Sequence, residues 1–155
     1  WNIYGIRPDS EYAKFIKKIV GENFLENNVF LKGVTLEIDL LSGLLNSNVF
    51  IHASYIDNSP NSVCEAQLIG LPVISTNVGG ISTLIEDGVD GFLMPTNEPH
   101  ILACKVVELI NNPNKLITIS SNAILVAHKR HNKIKIKENL LSIYQTIIDK
   151  GIDCK

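Results

Sequence analysis

The chain lacks the patterns that identify metal centres, disulfide frameworks, membrane spans and nucleic-acid interfaces. Its three cysteines, Cys64, Cys104 and Cys154, have no metal-ligand spacing and no even pairing, so we expect reduced thiols and a cytoplasmic protein. No secretory signal is visible, and no apolar run approaches the ~18 residues that span a bilayer. The net charge is −2 without a basic run, which argues against nucleic acid as a partner.

What the chain contains is typical of one globular domain. Its 155 residues are 45% hydrophobic and 19% charged, which allows a buried core without disulfides. The sequence begins with Trp1 rather than Met and enters an apolar segment within a residue or two. We therefore expect it to be part of a longer protein.

Short apolar runs alternate with segments of helical spacing along the first two thirds of the chain. This pattern predicts strands over 2–4, 28–31, 49–52, 72–75 and 92–94. It predicts helices over about 10–20, 37–46, 60–70, 99–111, 113–128 and 133–149, with a further short helix after the loop 79–86. The fold class is therefore α/β: a Rossmann-like parallel sheet flanked by helices, with an all-helical C-terminal segment.

Ligands of open α/β sheets bind beyond the carboxyl ends of the strands. The loops that leave those ends cover residues 5–7, 32–34, 53–61 and 76–80. Gly33 lies in the second loop and is a candidate ligand-binding residue. The third loop is the most polar, and it leads directly into a helix.

The start of that helix is a candidate anion site. We predict that Ser59 caps the helix and that Pro60 occupies its first position, where a missing N–H has no cost. The helix dipole and the free N–H groups then favour an anion such as a diphosphate beside Asn58 and Ser59. The free N–H groups belong to Asn61, Ser62 and Val63. The alternative is that Ser59 and Asn61 only cap the helix.

Two carboxylates flank this helix start. Glu65 lies in a helix that is otherwise apolar toward the sheet, so its carboxylate must find a partner or stay hydrated. One carboxylate can accept hydrogen bonds from both hydroxyls of a ribose. Asp57 precedes the helix, where it could bind sugar hydroxyls and stabilise positive charge on an anomeric carbon. The alternative for Asp57 is an Asx turn within its own loop.

Further polar or flexible residues lie at the same predicted edge. Gly79 and Gly80 allow the backbone to approach a ligand closely, or they form a tight turn. His52 ends the third predicted strand and is either a site residue or a packed strand histidine. Arg7 and Lys32 follow the first two strands and could meet a phosphate, or be solvated.

The segment from Asp57 to Leu93 resembles the donor site of the group-1 family of retaining glycosyltransferases with the GT-B architecture. The family often carries Glu-Asn-Phe-Pro-Asn-x-x-x-Glu, and this chain has Asp-Asn-Ser-Pro-Asn-Ser-Val-Cys-Glu over 57–65. The family's Ala-x-x-x-Gly-x-Pro-Val-Ile follows at 66–74, and its Gly-Gly-Ile segment is matched over 79–93. The resemblance extends over nearly the whole chain.

The resemblance implies a role for each matched residue. Glu65 would hold the ribose of a nucleotide-sugar, and Asp57, as the catalytic candidate, would contact the donor sugar near its reacting carbon. The remaining donor-binding candidates surround the diphosphate and the adjoining loops. They are Asn58, Ser59, Asn61, Ser62, Val63, Gly33, Gly79 and Gly80.

The resemblance also implies a reaction and its partners. The protein would transfer a sugar with retention from a nucleotide-diphosphate-sugar to a hydroxyl acceptor, in polysaccharide or glycolipid synthesis. It would need no metal and no cofactor besides this substrate. An N-terminal domain would bind the sugar or lipid-linked acceptor, and the full-length protein would work in the cytoplasm, with peripheral association at the inner face of the membrane.

Residues 1–155 would then form a single, incomplete C-terminal nucleotide-sugar-binding domain that lacks its first strand. In the strand order 3-2-1-4-5-6 that strand is a central one. The family's basic Arg and Lys would be absent with it, and Asp57 stands where the family often has Glu. Two alternatives are a nucleotide-sugar 2-epimerase of the same architecture and a non-catalytic Rossmann module.

Overall fold

The computed structural model describes residues 1–150. Its strands are β1 (Asn2–Tyr4), β2 (Phe30–Gly33), β3 (Phe50–His52), β4 (Val73–Thr76) and β5 (Phe92–Met94). Its α-helices are α1 (Glu11–Glu22), α2 (Glu37–Leu45), α3 (Asn61–Leu68), α4 (Pro99–Asn111), α5 (Pro113–Arg130) and α6 (Lys133–Lys150). The predicted α/β class and the helical C-terminal segment are confirmed.

The strands form two parallel sheets rather than the single sheet that the sequence predicts. The chain divides into two compact units, residues 1–48 and a second that begins at Val49. The first unit holds a β1-β2 pair, and the second holds a sheet of order β3-β4-β5. All pairings are parallel, as predicted. The absence of a first strand stays a prediction.

The second unit is built on β4, which is buried along its whole length between β3 and β5. Its register pairs Ile74 with Ile51 on one side and with Phe92 on the other. Residues from the sheet and from α4 and α5 form one core cluster, which removes apolar surface from water. This cluster consists of Ile74, Phe92, Met94, Leu109 and Ile119.

Helix α3 ends two residues earlier than predicted. Its last residue is Leu68, and Gly70 adopts a left-handed conformation with φ of +77°. The Gly70 N–H donates to the Gln67 carbonyl at 3.0 Å, and the Leu71 N–H donates to the Ala66 carbonyl at 2.8 Å. This is a Schellman motif, in which the residue after the helix adopts a left-handed conformation that glycine allows without steric strain.

The short helix predicted between residue 86 and Gly88 is wrong. The helical turn lies earlier, as a 3-10 helix over Ile81–Thr83. The residues that follow form a turn instead, because two aspartate side chains accept hydrogen bonds from backbone N–H groups. Asp90 Oδ1 accepts from the Glu86 N–H at 2.7 Å, and Asp87 Oδ1 accepts from the Leu93 N–H at 2.8 Å.

Helix α6 is present where the sequence predicts it, but none of its residues is buried. The apolar side chains that predicted it, Ile134 and Leu141 among them, are exposed. The two described cysteines also differ: Cys64 is buried and Cys104 is exposed. Cys154 lies outside the described residues.

Candidate functional site

The site begins where β3 ends, at His52. The loop that follows carries Asp57, whose Oδ2 lies 3.3 Å from His52 Nε2. The side chain of Asp57 is 31% exposed and that of His52 is 14% exposed. Asp57 therefore has one side toward the protein and one toward solvent, and its carboxylate pairs with an imidazole rather than forming the Asx turn considered for it.

Two hydroxyls of β4 contact the end of β3 and the loop that follows it. Ser75 Oγ lies 3.2 Å from His52 Nδ1 and is also within 3.2 Å of the carbonyls of His52 and Thr76. Thr76 Oγ1 donates to the Ser54 carbonyl at 2.6 Å. Because both hydroxyls are buried, these bonds are shielded from competing water.

The glycine pair packs directly against the loop that carries Asp57. A Cβ on Gly79 would clash with the Asp57 carbonyl oxygen, and one on Gly80 would clash with the Asn58 carbonyl oxygen. Gly79 also has φ of +51°, where a side chain is strained. The glycines are thus required for contact between two loops, and their contact with a ligand stays a prediction.

The predicted cap on α3 is wrong. The helix begins at Asn61 with Pro60 as its N-cap, because Pro60 is extended with φ of −67° and ψ of 121°. No side chain caps the helix, so Ser59 does not occupy the first-turn donors. Within residues 1–150, the N–H groups of Asn61, Ser62 and Val63 have no acceptor. The predicted anion site therefore lacks its predicted cap, and binding of an anion there stays a prediction.

Glu65 lies on the outward face of α3. It is exposed, whereas Val63, Cys64, Ala66 and Gln67 around it are buried. It takes part in none of the ion pairs formed among residues 1–150. Asn61 is also exposed, and residues four apart share one face of a helix. Glu65 therefore lies about one turn, roughly 6 Å along the axis, from Asn61, the first of the free amides.

The inward face of α3 is held by a polar network that sequence reasoning missed. Gln67 is fully buried, and its Nε2 donates to the Leu84 carbonyl at 2.9 Å. Arg130, at the end of α5, donates to Gln67 Oε1 at 2.9 Å and to the same carbonyl at 2.7 Å. The one sequence signal was a glutamine on an otherwise apolar helix face.

Asp90 lies near this network and is 2% exposed. Burial raises the pKa of its carboxyl, and the Glu86 N–H and the charge of Arg130 act in the opposite direction. The carboxylate accepts a hydrogen bond in a turn and does not reach the candidate site residues. We therefore assign it a structural role.

A cavity of about 390 Å³ in the second unit is lined by Thr83 and by residues of α5 and α6, among them Arg130 and Lys135. Asp57 and Glu65 do not line it. No group of three or more His, Cys, Asp or Glu side chains in residues 1–150 could hold a metal ion. Over the same stretch, no helix has the length and apolar character needed to cross a bilayer.

Two predicted site residues belong to the first unit and are described within it. Gly33 ends β2, is buried, and has φ of +74°. Its carbonyl accepts the Gly5 N–H at 2.8 Å, which gives it a structural role in that sheet. Lys32 Nζ lies 5.5 Å from the ring centroid of Phe30. Participation of these residues in ligand binding stays a prediction.

The family model for group 1 glycosyl transferases matches residues 2–126. The chain belongs to this family. The capsular polysaccharide biosynthesis glycosyltransferase CapM of Staphylococcus aureus is 31% identical over 125 residues, which cover 81% of this chain and 32% of CapM. The poly(ribitol-phosphate) alpha-N-acetylglucosaminyltransferase of S. aureus is 26% identical over 94% of this chain and 29% of that enzyme.

The solved structures similar to this group 1 chain have the predicted GT-B architecture. The crystal structure of Anabaena HepE in complex with UDP-glucose superposes with a TM-score of 0.80 at 28% identity, covering 94% of this chain and 40% of HepE. The crystal structure of TarM gives 0.78 at 26% identity, covering 92% and 28%. The chain spans about a third of the length of CapM, at 32%.

Proposed function

We propose that this chain is the C-terminal, donor-binding domain of a retaining glycosyltransferase. The enzyme transfers a sugar from a nucleotide-diphosphate-sugar to a hydroxyl acceptor in polysaccharide or glycolipid synthesis. The observation that carries the proposal is the start of α3, where three uncapped N–H groups lie between Asp57 and Glu65. Family membership supports glycosyl transfer over the 2-epimerase and over a non-catalytic module.

The diphosphate binds at the start of α3. The N–H groups of Asn61, Ser62 and Val63 donate to its oxygens, and the helix dipole favours its charge. The side chains of Asn58 and Ser59 are exposed beside these amides and complete the site. Support for this arrangement comes from the absence of any side-chain cap, because a capping oxygen would occupy the donors that the diphosphate requires.

Glu65 binds the ribose. A nucleoside diphosphate has its ribose next to the α-phosphate, and Glu65 lies about one turn from Asn61, the first of the free amides, on the same exposed face. Its carboxylate has no protein partner within residues 1–150, so both oxygens are free to accept the two ribose hydroxyls. The 28% identity to HepE, whose structure contains UDP-glucose, makes uridine diphosphate the first nucleotide to test.

Asp57 acts on the donor sugar. Departure of the nucleoside diphosphate leaves positive charge on the anomeric carbon, and a carboxylate close to that carbon stabilises it. The departing oxygens gain negative charge, which the free amides of α3 stabilise. We propose that no metal ion is needed for this step. The acceptor binds in an N-terminal domain, and the full-length protein works at the inner face of the membrane.

The proposal is tested by measuring donor binding to the full-length protein with Glu65→Gln. Glutamine keeps the size of the side chain but loses the charged acceptor, so we expect uridine diphosphate affinity to fall about 10- to 100-fold. Isothermal titration with uridine, guanosine and adenosine diphosphates measures the affinity, and EDTA in every sample tests whether nucleotide binding needs a metal ion.

The matched control is Glu138→Gln, which changes an exposed glutamate of α6. It should leave the affinity unchanged. Equal affinities for wild type and Glu65→Gln would remove the ribose assignment. Absence of binding to any of the three nucleotides would favour the non-catalytic module, and release of an epimer without acceptor would favour the 2-epimerase.

A further inference from the structure

We propose that His52 is a positioning residue for the glycosyl transfer, because its ring orients the carboxylate of Asp57 toward the donor sugar. The inference deepens the proposed function and rests on it. His52 ends β3 and Asp57 lies five positions further, so the pair connects the rigid sheet to the site loop.

The position of the His52 ring is fixed from both of its nitrogens. Nδ1 lies 3.2 Å from Ser75 Oγ, and Nε2 lies 3.3 Å from Asp57 Oδ2. Ser75 is fully buried in β4, the central strand of its sheet. The His52 ring therefore cannot change rotamer without breaking its contact with Ser75 or with Asp57.

The contacts of Ser75 are compatible with a His52 ring that carries its proton on Nε2. Ser75 Oγ has one proton and three neighbours within 3.2 Å: His52 Nδ1 and the carbonyls of His52 and Thr76. If this proton goes to Nδ1, the neutral ring has its own proton on Nε2. In this arrangement the Nε2–H lies on the side of the ring that is 3.3 Å from Asp57 Oδ2. The proposal assigns this tautomer to His52.

The backbone of the loop is already constrained around Asp57. The Asp57 carbonyl packs against Gly79, and the adjacent Asn58 carbonyl packs against Gly80. The remaining freedom of Asp57 is the rotation of its side chain. The contact with His52 Nε2 removes that freedom, at the residue proposed to meet the reacting carbon.

His52 contacts only one of the two carboxylate oxygens of Asp57. His52 contacts Oδ2, and no residue among 1–150 forms an ion pair with Oδ1. The Asp57 side chain is 31% exposed, so the protein does not enclose the carboxylate completely. One oxygen is thus held by the protein and the other can act on the sugar. Accurate placement of the acting group contributes strongly to catalysis.

The test compares substitutions of His52 in the full-length enzyme, with transfer rate and donor affinity measured separately. His52→Leu removes the ring nitrogen that contacts Asp57 and should lower kcat about 10- to 100-fold while donor affinity changes less than about threefold. His52→Gln restores an N–H near the position of Nε2 and should recover at least part of the rate. Ser75→Ala frees Nδ1 and should lower kcat by about two- to fivefold.

The chain offers a matched control in a second histidine-carboxylate pair. His100 Nε2 lies 3.0 Å from Glu98 Oε2, but the His100 side chain is 74% exposed and lies at the start of α4. His100→Leu makes the same chemical change and should leave kcat within about twofold of wild type.

A double-mutant cycle separates the positioning role from a structural one. In an Asp57→Asn background, His52→Leu should cost less than about twofold, because the group that it orients is already lost. An equal loss in both backgrounds would overturn the proposal, and so would wild-type kcat in both His52→Leu and Ser75→Ala. If Asp57→Asn itself retains full transfer activity, the proposed function of Asp57 is wrong instead.

Discussion

The two faces of α3 have opposite properties. The outward face carries Asn61 and Glu65, which are exposed, and the Glu65 carboxylate has no ion-pair partner among residues 1–150. The inward face carries Val63, Ala66 and Gln67, each fully buried. Apolar packing and two hydrogen bonds of Gln67, one to the Leu84 carbonyl and one from Arg130, hold that face. The outward face has the polar groups that a ligand would need.

Within the eight residues of α3, the inward face contributes to folding stability and the outward face is the proposed binding surface. Groups that are satisfied inside the protein contribute to folding, while groups left unsatisfied at the surface cost little because water solvates them. A helix anchored on one side can therefore present fixed donors and a carboxylate on the other. The comparison predicts that substitutions on the two faces change different measured quantities.

The largest stability effect should come from the inward face. Gln67→Ala leaves a cavity and removes one of two donors to the Leu84 carbonyl, and it removes the Gln67 acceptor of Arg130. We expect the free energy of unfolding to fall by about 2–4 kcal/mol. Chemical denaturation of the full-length protein without ligand measures this loss.

The control for Gln67→Ala is Gln145→Ala. Gln145 is exposed on α6, where its Nε2 donates to Asp149 Oδ1 at 2.8 Å. Its substitution should change stability by less than about 0.5 kcal/mol. If Gln67→Ala remained as stable as this control while donor affinity fell, the assignment of the two faces would be reversed.

A smaller effect, on both stability and catalysis, is expected where Gly80 meets the loop that carries Asp57. Gly80→Ala adds a Cβ against the Asn58 carbonyl, although the Gly80 backbone itself is unstrained at φ of −90°. We expect a stability loss of about 1–3 kcal/mol. Because the clash moves the loop that carries Asp57, kcat should fall as well. Denaturation and transfer assays on the same samples measure both.

Gly21→Ala is the matched substitution for this experiment. A Cβ on Gly21 would meet its nearest atom, in Glu26, at the ordinary distance of 3.7 Å. Alanine there should be neutral or stabilise by up to about 1 kcal/mol. A Gly80→Ala protein with unchanged stability and kcat would show that the two loops are not in rigid contact.

The sequence was sufficient to predict the five strands and the six α-helices of residues 1–150, because apolar runs and helical spacing are local properties. It also placed Asp57 on the loop after β3 and Glu65 inside α3, since both follow from position relative to a strand and a helix start. The family resemblance added the proposed roles, and the family itself is confirmed by the match over 2–126. Those roles remain predictions.

Contacts between distant residues could not be predicted in this way. His52 meets Ser75 across 23 positions and Gln67 meets Arg130 across 63, and neither separation leaves a periodic signal. The extended conformation of Pro60 moved the start of α3 by one residue and removed Ser59 from the cap. The exposure of α6 could not be predicted either. An apolar spacing indicates a helix, but it does not show whether another element packs on the apolar face.

The smallest stability effect should come from Ser59→Ala, and it tests the corrected cap directly. Ser59 is exposed and makes no capping bond, so its loss should change the free energy of unfolding by less than about 0.5 kcal/mol. Loss of its proposed contact with the diphosphate should instead make donor affinity fall about two- to tenfold.

Ser10 is the matched control, because its Oγ accepts the Ala13 N–H at 3.2 Å as the N-cap of α1. Ser10→Ala should therefore cost about 1 kcal/mol. Equal destabilisation by the two substitutions would show that Ser59 caps α3, in which case fewer free N–H groups would remain for a diphosphate.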